Sequence, residues 1–191
     1  MKHPVRHSLG IAALLAAITL STSTNAANPA PGYIDFGKFP ASSGEFVEID
    51  LKSNLLSMVT RLTQKEDPEV ADLLRGLHSI RVNVIGLNED NRDEMEKRIK
   101  AIRSELDTKG WERIVTAQKQ KEDVGIYLKT RGEEAVEGLV ITVLQGKREA
   151  VLINIVGDIK PEKLGAIGER LNIEPLKKAG RSLEKQPTPE K

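Results

Sequence analysis

Few side chains in this 191-residue sequence have the type and neighbours that chemistry requires. The histidines are His3, His7 and His78, and there is no cysteine. Zinc sites of Cys and His, Cys–His nucleophilic pairs and c-type haem attachment therefore lack their donors. A Ser-His-Asp triad has only His78 to use once an N-terminal leader is gone, and no Gly-x-Ser-x-Gly elbow accompanies it. His78 lies between Leu77 and Ser79, where a turn or surface position is expected. Ser182-Leu183-Glu184-Lys185 has the Ser-x-x-Lys form of penicillin-recognising enzymes, but the companion motifs are missing and the tail around it is polar. No Gly-x-Gly-x-x-Gly, phosphate-cradling loop or calcium-loop spacing occurs. The 28 carboxylates mostly suit solvent, so spacing singles out no acid–base pair among them. No cofactor and no metal are expected. What remains is recognition chemistry. Trp111, the only tryptophan, Arg113 and Tyr127 fall on two successive strands, and exposed aromatics and arginine dominate binding hot spots. Asn154, inside the apolar run VLINIVGD, is either a satisfied polar contact or a ligand contact.

The first residues indicate where such recognition takes place. Lys2 and Arg6 form a basic start, Leu9–Leu20 (LGIAALLAAITL) is apolar, and STSTNA follows with Thr24 and Ala26 placed as cleavage-site small residues. This is the layout of a secretory signal peptide. The apolar run falls short of the roughly 20 residues that a transmembrane helix needs. No cysteine follows it, which excludes a lipoprotein signal. Residues 1–26 are thus expected to be removed after Ala26, with Ala27 as the alternative site, leaving no stable membrane span. The product is expected to be periplasmic or secreted.

Without Lys2 and Arg6 the chain carries 27 basic against 28 acidic residues. No field of one sign exists to attract nucleic acid, and aromatics, at 3%, are too scarce for base-stacking platforms. Lys119 and Lys121 are followed by Glu122 and Asp123, and Lys97, Arg98, Lys100 and Arg103 alternate with acids on one helix. Both groups read as solvated faces. An exported chain without cysteine must be held by its core, here of Leu, Ile and Val.

The elements that position these residues follow from periodicity. Residues 27–44 read as a flexible linker, with Tyr33, Ile34 and Phe36 available to dock. Residues 45–51 (EFVEIDL) fit a short strand. Leu51, Leu55, Met58, Val59 and Leu62 recur at helical spacing and make one stripe on one face. Asp67-Pro68 caps and opens a second helix with Val70, Leu73, Leu74 and Leu77 inward. A strand spans Ile80 to about Leu87. Asn91 and Glu94 mark the start of a helix over 91–109, with Met95, Ile99, Ile102 and Leu106 as its stripe, Glu94–Arg98 and Glu96–Lys100 as i,i+4 pairs, and Gly110 as its stop. Four strands follow: Trp111–Ala117, Asp123–Lys129, Gly138–Gln145 (apolar on both faces, hence central) and Ala150–Val156. Gly157-Asp158 ends the last strand, and Pro161 opens a helix carrying Leu164, Ile167 and Leu171. The β-α-β-β stretch from Ile80 to Lys129 fits part of a split unit like that of ferredoxin-like folds. The order predicts an α+β two-layer sandwich over residues 45–176: a mainly antiparallel sheet with helices packed on one face. Val124, Ile126 and Leu128 then meet the helices. Tyr127 turns outward, to form a semi-exposed patch with Trp111 and Arg113 unless Tyr33–Phe39 lies over it. Residues 177–191 read as a disordered tail.

From Trp111 to Ile173 the sequence resembles the bacterial domain-of-unknown-function 4252 family. The likeness rests on Trp111-Glu112, Val124-Gly125-Ile126-Tyr127, Glu137-Gly138-Leu139-Val140 and Asn154-Ile155-Val156-Gly157-Asp158-Ile159, and with the preceding helices spans roughly residues 45–175. The resemblance implies a small exported protein of unassigned role, with some relatives encoded near sigma-factor and anti-sigma-factor genes; it brings no catalytic residue. The leading expectation is a non-enzymatic module that binds an envelope protein, with a link to envelope-stress signalling. The alternatives are a small-ligand or lipid carrier, and an enzyme using carboxylate and Arg or Lys chemistry.

Overall fold

The computed structural model describes residues 30–39, 45–119, 122–146 and 148–170. The expected leader (1–26) and tail (177–191) lie outside the described residues, as does Leu171. The elements are β1 (Phe46–Lys52), α1 (Ser53–Thr63), α2 (Pro68–Arg75), β2 (Leu77–Gly86), α3 (Arg92–Thr108), β3 (Glu112–Lys119), β4 (Glu122–Arg131), β5 (Ala135–Gln145), β6 (Glu149–Ile159), one 3-10 turn (Pro161–Lys163) and α4 (Leu164–Arg170). The class is α+β: one six-stranded sheet, antiparallel at every junction, in the order β1-β2-β6-β5-β4-β3.

Strands β3 to β6 form the expected meander. Strand β6 continues past Gly157-Asp158 to Ile159, because the Asp158 N–H finds the Gly76 carbonyl at 2.8 Å and the paired backbone outweighs the local turn signal. The split ferredoxin-like unit is not formed. Strands β2 and β3 are separated by three others, since β5 and β6 are apolar on both faces and take the sheet's interior positions. Helix α3 therefore spans the sheet between β2, near one edge, and β3, at the other.

Helices lie on both faces. Met95, Ile99, Ile102 and Leu106 of α3 pack with Ile85, Tyr127, Val140, Leu144 and Leu152 on one side. Each such side chain contributes about 1.5–3 kcal/mol by burial. On the other side Leu56 of α1, Leu73 and Leu74 of α2, and Leu164 and Ile167 of α4 pack with Ile126, Leu139, Ile153 and Ile155. The expectation of helices on a single face is corrected by this arrangement. Its physical origin is the alternation in β4: Val124, Ile126 and Leu128 point to one cluster and Tyr127 to the other, so both faces need cover.

Local signals read from the sequence act as expected at several points. The Asp67 side chain accepts from the Val70 N–H at 3.1 Å and caps α2. Gly110 has φ +71 and ends α3, where the Trp111 N–H bonds the Leu106 carbonyl. Asn91 differs. Its side chain does not cap α3 but brackets the preceding loop, accepting from the Asn88 N–H and donating to the Gly86 carbonyl, both at 2.9 Å. The α3 ion pairs differ too: Glu96 pairs with Arg92 at 2.9 Å, while Arg98 reaches away to the Phe36 carbonyl. In helix α1 the stripe is not the buried side. Leu56 and Thr60 are its buried residues, whereas Leu55, Met58 and Leu62 face solvent.

Candidate functional site

The three recognition residues are brought to one corner of the fold, but not onto an open surface. Tyr127 is 0% exposed and Trp111 is buried; Arg113 stays exposed. The Arg113 guanidinium stands over the Tyr127 ring, 5.3 Å from its centroid, and pairs with Asp107 of α3 at 2.7 Å. Trp111 lies in the same apolar cluster as Tyr127, together with Ile34 and Phe36. The expected semi-exposed patch of Trp111, Arg113 and Tyr127 is thus corrected: α3 and the segment 32–39 cover this sheet face, and only Arg113 meets solvent.

That segment forms a strap. Asn154 holds it from β6, its Oδ1 accepting from the Ile34 N–H at 3.1 Å and its Nδ2 donating to the Gly32 carbonyl at 3.0 Å and the Leu139 carbonyl at 3.3 Å. Of the two readings of Asn154, the satisfied polar contact is the one observed. Arg98 donates to the Phe36 carbonyl and stacks on Phe39, 4.7 Å from the ring centroid. Gly32 rests directly on β5. A Cβ there would collide with the Glu137 carbonyl, and one at Gly138 would meet the Trp111 ring and the Gly32 backbone.

Beside Tyr127 lies a polar cluster. Arg103 donates from Nη1 to both carboxylate oxygens of Asp123, at 2.9 and 3.0 Å, and from Nε to the Thr142 hydroxyl at 3.0 Å. Sequence reasoning placed Arg103 on a solvated face. It is instead tucked between α3 and the sheet, where Gly125 leaves room for it. Burial raises the Tyr127 phenol above its ordinary value of 10.0, and Arg113 opposes that rise. The phenol oxygen and the Arg103 Nη2 are both buried without a hydrogen-bond partner among the described residues. Each arginine here already has its own carboxylate, so the cluster presents no free charge for an anion. His78 is exposed, and its carbonyl accepts from the Ser53 hydroxyl at 2.9 Å. No group of three or more His, Cys, Asp or Glu suited to a metal occurs among the described residues.

The open surface is elsewhere. Val47 (42% exposed) and Ile49 (44%) of β1 point to the sheet face on which α1 packs, and α1 itself exposes Met58 (48%) and Leu62 (70%) beside Leu55. The pattern at 55, 58, 59 and 62 was legible as a helical stripe. The signal against its burial was Leu56, which supplies a second apolar side of the same helix.

The chain matches, over residues 41–167, the family described as Domain of unknown function (DUF4252). It belongs to this family. No curated protein and no solved structure matches it. In this DUF4252 chain the matched span runs from just before β1 into α4, so it takes in the whole sheet and the β1–α1 surface, while the strap residues 30–39 precede it. Among the described residues no helix is long and apolar enough to cross a membrane.

Proposed function

We propose that this protein is an exported, non-enzymatic module of the cell envelope that binds a partner protein through the β1–α1 surface, with a role in envelope-stress signalling. The single observation that carries the reading is the outward apolar stripe of α1, Leu55, Met58 and Leu62, together with exposed Val47 and Ile49 on the preceding strand. Clustered exposed apolar side chains rimmed by polar ones mark interaction surfaces, whereas single ones do not. Lys52, Ser53, Asn54, Ser57, Arg61 and Gln64 supply such a rim, all of them exposed. The leader pattern at residues 1–26 supports a partner in the periplasm or outside the cell.

The test is cross-linked capture from periplasmic extract with the processed chain, whose first residue should be Ala27. Wild type should retain a partner, and the double variant Met58→Glu, Leu62→Glu should lose it while unfolding within about 0.5 kcal/mol of wild type, as exposed changes do. Equal capture by both proteins would refute the assignment of the surface.

A further inference from the structure

Strand β1 is an edge strand of unusual regularity for this sheet. The other four ladders each contain a register shift, including the one at Arg113/Val115 that bends β3 at the opposite edge. The β1–β2 ladder runs without one over seven residues, from Phe46↔Ile85 to Lys52↔Ser79. Bulges and twist are how native sheets blunt their edges, and β1 has neither a bulge nor a proline.

The direction of its backbone groups follows from one bond. The Gly86 N–H donates to the Glu45 carbonyl at 2.7 Å, one step before Phe46 faces Ile85. Opposed residues of an antiparallel pair alternate between exchanging hydrogen bonds and exchanging none. Val47, Ile49 and Leu51 therefore carry the ladder to β2. Phe46, Glu48, Asp50 and Lys52 turn their N–H and C=O groups to the outer edge, where no described strand pairs with them.

The side chains along that edge sort by face. Val47 and Ile49 lie on the α1 side and are apolar; Phe46, Glu48, Asp50 and Lys52 lie on the strap side, with the two acids at its middle and Lys52 at its end. Asp50 is paired at long range with Arg81, at 3.9 Å, and with Lys52, at 4.0 Å, and Glu48 has no ion pair among the described residues. An incoming strand keeps the same alternation, so it would set apolar side chains beside Val47 and Ile49 and cationic ones beside Glu48 and Asp50. A second copy of this chain fits poorly. Two-fold pairing of β1 with itself centred on residue 48 or 49 opposes Glu48 to Glu48 or Glu48 to Asp50, and like charges opposed across strands destabilise the pair; centred on residue 50 or 51, where Lys52 meets Glu48 or Asp50, only five or three of the seven residues of β1 overlap.

We infer that the outer edge of β1 takes up an extended segment of a partner protein in which apolar and basic residues alternate, adding a seventh strand to the sheet. The inference rests on the partner-binding reading and names its mode: main-chain hydrogen bonds from Phe46, Glu48, Asp50 and Lys52 supply affinity, and the two-sided side-chain pattern supplies selection.

The experiment titrates the processed chain into a fluorescein-labelled peptide of alternating Lys and Val, and into one of alternating Glu and Val, following anisotropy. The Lys-Val peptide should bind severalfold more tightly than the Glu-Val peptide, since the cross-strand pairs to Glu48 and Asp50 change sign while Lys52 opposes part of the gain. Glu48→Pro removes an outward N–H without touching the ladder to β2, and should abolish binding; Glu48→Gln should weaken it only severalfold. Amide exchange on the unmutated chain gives a check that needs no variant: the Phe46, Glu48, Asp50 and Lys52 amides should become protected when the Lys-Val peptide is added. Equal affinity for the two peptides, undiminished binding by Glu48→Pro, unprotected edge amides, or a β1-dependent dimer in sedimentation would each overturn the inference. If periplasmic capture survives in Glu48→Pro but fails in the Met58→Glu, Leu62→Glu variant, the partner-binding reading stands and strand addition alone is lost.

Discussion

Replacing Asn154 by Ala tests whether the strap over Trp111 and Tyr127 is held as its geometry says. The Asn154 side chain meets both the Ile34 N–H and the Gly32 carbonyl. Truncation leaves both backbone groups buried and unmet, at about 1–3 kcal/mol each, so a strap that stays in place costs the domain about 2–6 kcal/mol. The strap has an alternative, which is to leave. Release forfeits the burial of Ile34 and Phe36 but returns backbone freedom to the segment. Release therefore sets a ceiling on that cost, and the expected loss lies in the lower part of the range, about 2–3 kcal/mol. At a urea slope of about 2 kcal/mol per molar, the midpoint should fall by roughly 1–1.5 M. Trp111 is the only tryptophan and packs where Gly32 meets Gly138, so its emission should shift to the red in Asn154→Ala before any unfolding. Phe36→Ala should destabilise wild type, and in the Asn154→Ala background its loss should fall well short of additive, because the strap is already free. An unshifted midpoint with unshifted emission, or strict additivity of the two variants, would refute the clamp.

Two further outcomes follow from the packed faces. Ile102→Ala should cost about 2–5 kcal/mol in urea denaturation, as for other buried aliphatics, whereas Lys100→Ala on the exposed side of α3 should stay within about 0.5 kcal/mol; equal shifts would contradict the orientation of α3. In a Tyr33→Phe background, tyrosinate absorbance should show Tyr127 ionising above its ordinary value of 10.0, and the folded state, which keeps the phenol protonated, should lose stability as pH rises through that value, a loss that Tyr127→Phe should remove.

Element positions were largely legible because each had a local cause. The Met95, Ile99, Ile102 and Leu106 stripe of α3 is buried in full, Asp67 caps α2, and Gly110 takes the left-handed conformation that stops α3. Errors arose where a long-range partner decided the outcome. Gly157-Asp158 has the composition of a turn, yet it stays in a strand because the Gly76 carbonyl is there to receive it. Arg98 and Arg103 have the spacing of solvated helix charges. One serves the strap and the other serves Asp123 and Thr142, partners 20 or more residues away.

The layer arrangement was legible in part, and the missed step carries most of the functional consequence. A strand apolar on both faces, as β5 was read, can be central only if both faces are covered. That requirement already argues against a one-sided helical layer, and so against an open Trp111–Arg113–Tyr127 face. Once both faces of the middle strands are spoken for, exposed apolar surface can persist only toward an edge or on the outside of a covering element. The β1 edge and the outer side of α1 are the places where Val47, Ile49, Met58 and Leu62 remain in solvent. The helical stripe of α1 was visible in the sequence, but its direction was not. Leu56 and Thr60 give the helix a second side that can be buried, with the Thr60 hydroxyl satisfied by the Leu56 carbonyl at 2.8 Å, and only the docking of α1 on β2 chooses between the two. The choice buries the weaker side and leaves the stronger one to water, a local sacrifice of burial of the kind found where a surface is kept for binding.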